Sequence, residues 1–319
     1  MKRIQTSLSI LAALLILPAA FVPVPSSAQA VQFLGYNPDA RTAGMGGAGV
    51  TLDATAFSMW NNSAAPALSS GTMDAAVSYG LWQPSGSANS VVSAAGYGRV
   101  AGFMTVSAGI KYFSHSSYDI TDSGGLVTGS YTPKEMSAGV GVAFRILPVL
   151  SLGANVHYVH SDLGQSSRAG AVSADFGAML DLRFMRIGAT VSHIGSRIGY
   201  GGVSSYGQPA DFRLGVGTTR TFGAEGRHAV TASLQGGLLL EGASLFGEAG
   251  VEYAWNGMVR VSAGYHHGGA DIPGVIPSYA SVGAGFRILG IHVDAAYIIG
   301  TDARSPLTNS FSIGLGYSF

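Results

Sequence analysis

The sequence predicts an all-β fold: a 14-stranded antiparallel transmembrane β-barrel with an N-terminal plug or hatch segment. Three observations predict it. From residue 72 to the C-terminus the chain alternates apolar and small or polar residues with a period of two; the connections alternate between very short and long; and charge is confined to one of the two faces. Composition excludes the simpler alternatives. Only 11% of the 319 residues are charged, against roughly 25% in an average soluble domain, and 47 are glycine. Mean hydropathy is +0.32, too apolar for a disordered chain. Beyond the N-terminus no run approaches the ~20 apolar residues of a membrane helix, so the hydrophobicity is spread along strands.

Three regions follow: 1–30 as a signal peptide, 31–71 as the plug or hatch, and 72–319 as the barrel. Lys2 and Arg3 precede an apolar stretch from Leu8 to Val24, which ends in Ser26, Ser27 and an Ala28-Gln29-Ala30 cleavage site, the order of an export signal. Of the 17 basic residues, removing Lys2 and Arg3 leaves 15 against 17 acidic, a net charge of −2. Such a chain has no basic field for nucleic acid. The absence of cysteine suits an exported protein that makes no use of disulfides. Residues 44–49, GMGGAG, match the G-x-G-x-x-G pattern, but no apolar strand precedes them and no strand–helix–strand unit follows. Glycines there suit a chain packed tightly inside a barrel mouth instead.

Fourteen alternating segments follow, at 72–82, 90–99, 103–115, 135–146, 149–161, 171–184, 186–193, 210–220, 228–238, 243–255, 258–267, 278–288, 291–299 and 308–319. The last is the clearest, with Phe311, Ile313, Leu315, Tyr317 and Phe319 on one face and serine or glycine on the other. Short links fall at Val100-Ala101, Leu147-Pro148, Met185, Asn256-Gly257 and Leu289-Gly290, with 221–227 the one longer member; the alternate links, including 116–134, 194–209, 268–277 and 300–307, carry the length. Misplacing one strand would scramble that parity.

Outward positions such as Val140, Val142, Phe144, Ala174, Phe176, Leu180, Val251, Tyr253 and Trp255 carry no charge. The inward set holds twelve charges: Asp74, Lys111, Arg145, Asp175, Asp181, Arg183, Arg213, Glu248, Glu252, Arg260, Arg287 and Asp294. An Arg or Lys facing lipid at mid-membrane costs about 2–4 kcal/mol, whereas a soluble sandwich would charge its outer face. Six charges of each sign suggest pairs crossing a filled lumen rather than a single-sign pore; wetted lumen residues are the plainer alternative. Inward Phe103, Phe113, Phe246 and Ile298 could form an apolar pocket. No metal, cofactor or catalytic constellation is expected. His157 and His160 face opposite sides, His266 and His267 are read as solvated rim residues, and Ser192 and His193 point to opposite faces.

The two ends carry resemblances. Ser312-Ile-Gly-Leu-Gly-Tyr-Ser-Phe319, with Gly314, Tyr317 and Phe319 as its markers, resembles the C-terminal insertion signal read by the barrel assembly machinery of bacterial outer membranes. Residues 33–50, from Phe33 through Arg41, Gly44, Gly46 and Gly49, followed by Asp53-Ala54, Trp60-Asn61 and Pro66-Ala67-Leu68, resemble the N-terminal region of the PorV/PorQ family within the FadL-like barrels. The chain departs from the family's compact Trp-Asn-Pro-Ala, because Asn61 and Pro66 are pulled apart. The resemblance implies a non-enzymatic outer-membrane component of type IX secretion that binds C-terminal domains of cargo and meets the translocon. Tyr118 and Tyr131 in the 116–134 loop are candidate rim contacts for such cargo. FadL-type uptake of a hydrophobic small molecule, with 31–71 as hatch, is the alternative; a lateral or lumenal path would require an apolar inward pocket and a kinked or open strand.

Overall fold

In a computed structural model, the structure describes residues 30–82, 89–164, 167–182, 184–201, 204–268, 276–301 and 305–319. The export signal and Arg183 lie outside the described residues, apart from Ala30. Fourteen strands close into one antiparallel barrel, each paired with its neighbours along the chain and the first with the last. They are β1 (Met73–Trp82), β2 (Asn89–Ala101), β3 (Met104–Ser114), β6 (Lys134–Leu147), β7 (Leu150–Asp162), β8 (Arg168–Asp181), β9 (Arg186–Gly195), β10 (Asp211–Phe222), β11 (His228–Leu239), β12 (Ser244–Trp255), β13 (Val259–His267), β14 (Tyr279–Ile288), β15 (Ile291–Gly300) and β16 (Ser310–Ser318). Two further strands, β4 (Tyr118–Thr121) and β5 (Val127–Tyr131), form a separate hairpin within the 116–134 segment, where the sequence predicts only a long loop.

Closure satisfies every strand edge without a partner chain, which is what a sheet needs in lipid. The alternation then sorts the two faces. In β16, Ile313, Leu315 and Tyr317 are exposed outward while Ser310, Ser312 and Gly314 are buried inward. Among the described residues of the barrel strands, outward Asp, Glu, Lys and Arg occur only at strand ends: Lys134, Asp162 and Arg168 beside the long loops and Arg220 beside a turn. The lipid-facing band between them is uncharged.

The short links depart from expectation in detail. The β2–β3 turn is Gly102-Phe103 rather than Val100-Ala101, so Phe103 projects outside at 59% exposure and is not an inward residue. Strand β8 ends at Asp181 rather than at 184, and Leu182 and Met185 exchange backbone hydrogen bonds in the link to β9. Asn256 and Gly257 both adopt positive φ, the backbone that an Asn-Gly turn supplies at low cost. A bulge in β9 breaks the expected alternation. Ser192 and His193 together oppose Asp175 in the register, and His193, at φ 58°, turns its buried side chain into the lumen beside Ser192.

Residues 30–72 run through the barrel. Ala30 N–H donates to the Gly207 carbonyl at the long-loop end, whereas Thr72 N–H donates to the Phe319 carbonyl at the short-turn end. Between them lie a 3-10 turn (Gln32–Gly35) and three short helices, Ala40–Gly44, Ser58–Asn61 and Ala65–Leu68. The first helix is capped by Asp39, which accepts from the Arg41 N–H, and it stops where Gly46 and Gly47 adopt positive φ. The third starts with Pro66 in its first turn, where the missing N–H costs nothing.

Candidate functional site

The N-terminal segment is fastened to the lumen wall by polar side chains of its own. Arg41 makes two hydrogen bonds to Glu252 on β12, 2.8 and 2.7 Å long. Glu252 also lies 3.9 Å from Arg260. Buried Asp39 is a hub within the segment, accepting from Thr42 and Thr55 at 3.0 Å and from Asn61 at 2.9 Å. Asn61 is bonded in turn by Asn37. Trp60 stacks on Phe57, and Asn62 donates to the carbonyls of Val50 and Ala178. Burial, reinforced by Asp294, pushes the Asp39 carboxyl above the usual range, against the pull of its hydrogen bonds and Arg41. Burial disfavours the Arg41 charge, but Glu252 outweighs it and keeps the guanidinium strongly protonated. Asp53 is pushed up by burial and pulled below its usual range by Arg41 and Arg186 together.

Glycine lets backbone meet backbone around the plug. A Cβ on Gly44 would fall 2.8 Å from the Gly283 Cα, and one on Gly46 2.4 Å from the Tyr265 nitrogen. Gly49 would meet Thr42 and Asn61. From the wall, Gly153 faces Ser63, Gly188 faces the Val50 carbonyl, Gly264 faces Met45 and Gly109 faces Met59. The plug and the wall therefore touch on opposite sides of the lumen at the level of its middle.

The inward charges divide into pairs and exceptions. Asp294 meets Arg260 and lies 3.5 Å from His292, whose other ring nitrogen is 3.0 Å from Asp74. Asp175 accepts from the His193 backbone and lies 2.7 Å from His157. Arg186 bridges Asp181 and Asp53. Arg213 meets Asp211 at 2.9 Å and Glu248 at 4.0 Å. Arg183 lies outside the described residues, and of the other eleven expected charges three have no ion pair among the described residues. Lys111, fully buried, donates to the Leu34 and Tyr36 carbonyls at 3.0 and 2.7 Å and lies over the Phe33 and Trp60 rings. Arg145 donates to the Gly102 carbonyl in its turn, and Arg287 makes no salt bridge.

Sequence reasoning missed Arg186, Asp211 and the histidines as network members. Arg186 and Asp211 sit at the borders of their strands, where parity is hardest to assign. His266 is not a solvated rim residue: it is buried, stacked 4.9 Å from Tyr279, with one ring nitrogen 3.0 Å from Glu248 and the other 3.1 Å from the Ile276 carbonyl. His267 is exposed beside it on the outward face. No group of three or more metal-ligating side chains is placed to hold an ion among the described residues.

Above the plug, in the long-loop half of the lumen, lies a cavity of ≈ 340 Å³. One wall is the segment itself, at Phe33, Tyr36 and Asn37; the barrel contributes Trp82, Phe113, Phe246, Tyr279 and Ile298. Thus three of the four residues expected to form an apolar pocket do line one, and Phe103 does not. Among the described residues no barrel strand is left open, although the bulge described above kinks β9. Strand β3 pairs with β2 and β6 from Met104 to Ser114, and β1 with β16 over Asp74–Leu81.

At the rim, the Tyr118 hydroxyl donates to the Leu163 carbonyl and the Tyr131 hydroxyl to Asp162, so both tyrosines pin the β4–β5 hairpin to the next loop. The exposed apolar residues of that hairpin are Leu126 and Val127, with Tyr118 partly so. At the C-terminus Gly314 faces inward beneath Phe57, while Tyr317 and Phe319 contact edge-on at 4.4 Å on the outer face.

No curated protein matches the sequence. Among solved structures, the toluene transporter TodX of Pseudomonas putida is 13% identical, with a TM-score of 0.57 over 93% of this chain and 99% of its own. The CymD monoaromatic hydrocarbon channel is 12% identical with a TM-score of 0.59, covering 87% of this chain and 96% of its own. A Pseudomonas aeruginosa FadL homologue is 13% identical, with a TM-score of 0.50 over 94% and 100%. At such identities these likenesses establish the fold alone, a 14-stranded barrel like those of the FadL homologues. The family described as type IX secretion system protein PorV matches residues 26–241. Spanning more than half of the sequence, that match makes the chain a member of the PorV family, an integral outer-membrane component of type IX secretion.

Proposed function

We propose that this barrel is a non-catalytic carrier, which binds the C-terminal domains of type IX cargo at its long-loop end and passes them from the translocon to surface attachment. The observation that carries the reading is the closed interior. The plug meets the wall through its backbone, the flanking strands are continuously paired, and the long-loop rim is the surface left for work. The β4–β5 hairpin, held rigid by Tyr118 and Tyr131, projects Leu126 and Val127 from that rim. Apolar residues on a rigid support suit protein recognition.

The test is mild-detergent affinity purification of the tagged protein from its own outer membrane, with the wild type beside a variant whose residues 119–130 are replaced by a short glycine–serine turn. Wild-type protein should bring down secreted proteins sharing a C-terminal domain, or the translocon, and the variant should bring down several-fold less. A stoichiometric apolar ligand with no protein partner would refute the proposal. It would favour uptake of a hydrophobic small molecule, the second reading, which the cavity supports and the closed wall opposes. The aromatic C-terminal signal supports insertion by the barrel assembly machinery under either reading.

A further inference from the structure

We propose that the outer wall of the barrel carries a binding site for a phosphate-bearing lipid of the outer leaflet, at the long-loop end of β6, β7 and β8. This role is additional to cargo transfer and does not rest on it. Lys134, Asp162 and Arg168 stand opposite one another in a single row across the three strands, and His160 lies one step nearer the membrane middle, between Met136 and Gly170. All of these side chains point outward, alternating with buried Glu135, Ser161 and Ala169. The other barrel strands place no Lys, Arg, Asp or Glu outward at the long-loop end among the described residues, so the outward charge of that rim is gathered on one arc. With short turns facing the periplasm, the arc lies where the outer leaflet keeps its phosphates.

The chemistry of the arc selects the ligand. Lys134 and His160 have no ion pair among the described residues, and Arg168, its side chain 70% exposed, meets Asp162 at 2.8 Å. An exposed pair of that kind is weak. Asp162 also accepts from the Tyr131 hydroxyl, so the one acid is already engaged and the row is left net positive. Neighbouring strands run about 4.8 Å apart, which sets Lys134 and Arg168 about 10 Å apart at the backbone, a span that two long side chains can close on one phosphate. A Cβ on Gly170 would fall 2.8 Å from the Tyr158 hydroxyl and 3.4 Å from its ring. Bare backbone there lets the ring lie across β8 and lifts its hydroxyl to the register level of His160, a neutral donor at the border of the apolar band. Beneath it, Ala138 sits between Ile110 and Tyr158, and Ala108 beside Val140, so the wall is hollowed into an apolar groove that seats acyl chains. A free phosphate would use the cations alone, whereas a lipid uses both halves of the site.

The test uses the purified full barrel in mild detergent, read by native mass spectrometry, with bisphosphorylated lipid A as probe and the same lipid stripped of its phosphates as comparison. One lipid A per barrel is expected at saturation, bound about 10-fold tighter than the phosphate-free form. K134Q/R168Q should cut that preference below about 3-fold, D162N should raise it about 2-fold, and R220Q, which removes the outward arginine at the turn end, should leave it unchanged. Each variant is checked for heat-modifiable mobility of a folded barrel; if K134Q/R168Q fails it, D162N alone decides. Equal uptake of the two lipids, or a preference that K134Q/R168Q and D162N both leave unchanged, would overturn the proposal. If the preference is unchanged and K134Q/R168Q no longer brings down translocon or cargo, the arc is a protein contact and the lipid site is refuted.

Discussion

At the scale of single residues, the segment inside the barrel is secured by few side chains, and their chemistry fixes what their loss should do. Arg41 and Glu252 are nearly sealed from solvent and bonded twice. Breaking a buried pair costs about 3–5 kcal/mol because one charge is left behind, and Arg260 at 3.9 Å from Glu252 tempers that here. We therefore expect R41M to destabilise the barrel by about 3 kcal/mol in denaturant titration, with R41M/E252L recovering most of it. A change below about 0.5 kcal/mol in R41M would show that the pair holds nothing. Asp53 offers a test with pH. Its carboxyl lies below the ordinary 3.8 because Arg41 and Arg186 favour the ionised form. A depressed carboxyl stabilises the folded state above that value and loses this contribution as the pH falls through its folded-state value. Asp53 is about half exposed at the turn end, so water screens the effect. The thermal-stability gap between wild type and D53N should be widest near pH 6 and should narrow below pH 4; a gap independent of pH would count against this assignment.

At the scale of elements, glycine placement couples the wall to the plug. A Cβ at Gly264 would sit 2.1 Å from the Gly46 nitrogen, which is backbone and cannot swing aside, whereas Gly98 has nothing within 4 Å. G264V should lift the plug, increasing protease cleavage within residues 45–60 and costing at least the 1–3 kcal/mol typical of overpacking, while G98A should be neutral in both assays. Equal sensitivity of the two would mean that glycine serves strand curvature rather than plug contact. The same coupling explains what was legible beforehand. Strands were readable because lipid imposes one rule on every outward side chain, so parity from β16 back to β1 is redundant. The plug has no such period: Asn61 matters through Asp39 and Asn37, contacts set by the path of a compact irregular chain. The β9 bulge turned His193 inward, and the β4–β5 hairpin lay outside the lipid band where alternation is enforced. Arg186 and Asp211 were hidden by strand borders, and His266 by its place beside Gly268.

At the scale of the molecule, two kinds of contact close it: strand against strand around the ring, and plug against wall across it. Reconstituted wild-type protein should show no large steady conductance in planar bilayers, and the plug-lifted G264V should conduct; an open wild-type channel would require the plug to leave the lumen. The two ends of residues 30–72 also lie on opposite sides of the membrane. With short turns facing the periplasm, as is usual for such barrels, an epitope placed just before residue 30 should be labelled on intact cells and one after Phe319 should not. The path of this segment has a further consequence for biogenesis. The seam that completes the ring joins β1 to β16, the first and last strands of the barrel, and Thr72 is bonded to Phe319 at its foot. Everything N-terminal to the seam must already be lodged when the two strands zip together, since a finished ring would have to be threaded from below. The cork is therefore part of the mould: it is the template around which the last pair of strands is drawn shut, and synthesis in two pieces should yield a ring that no added N-terminal peptide can fill.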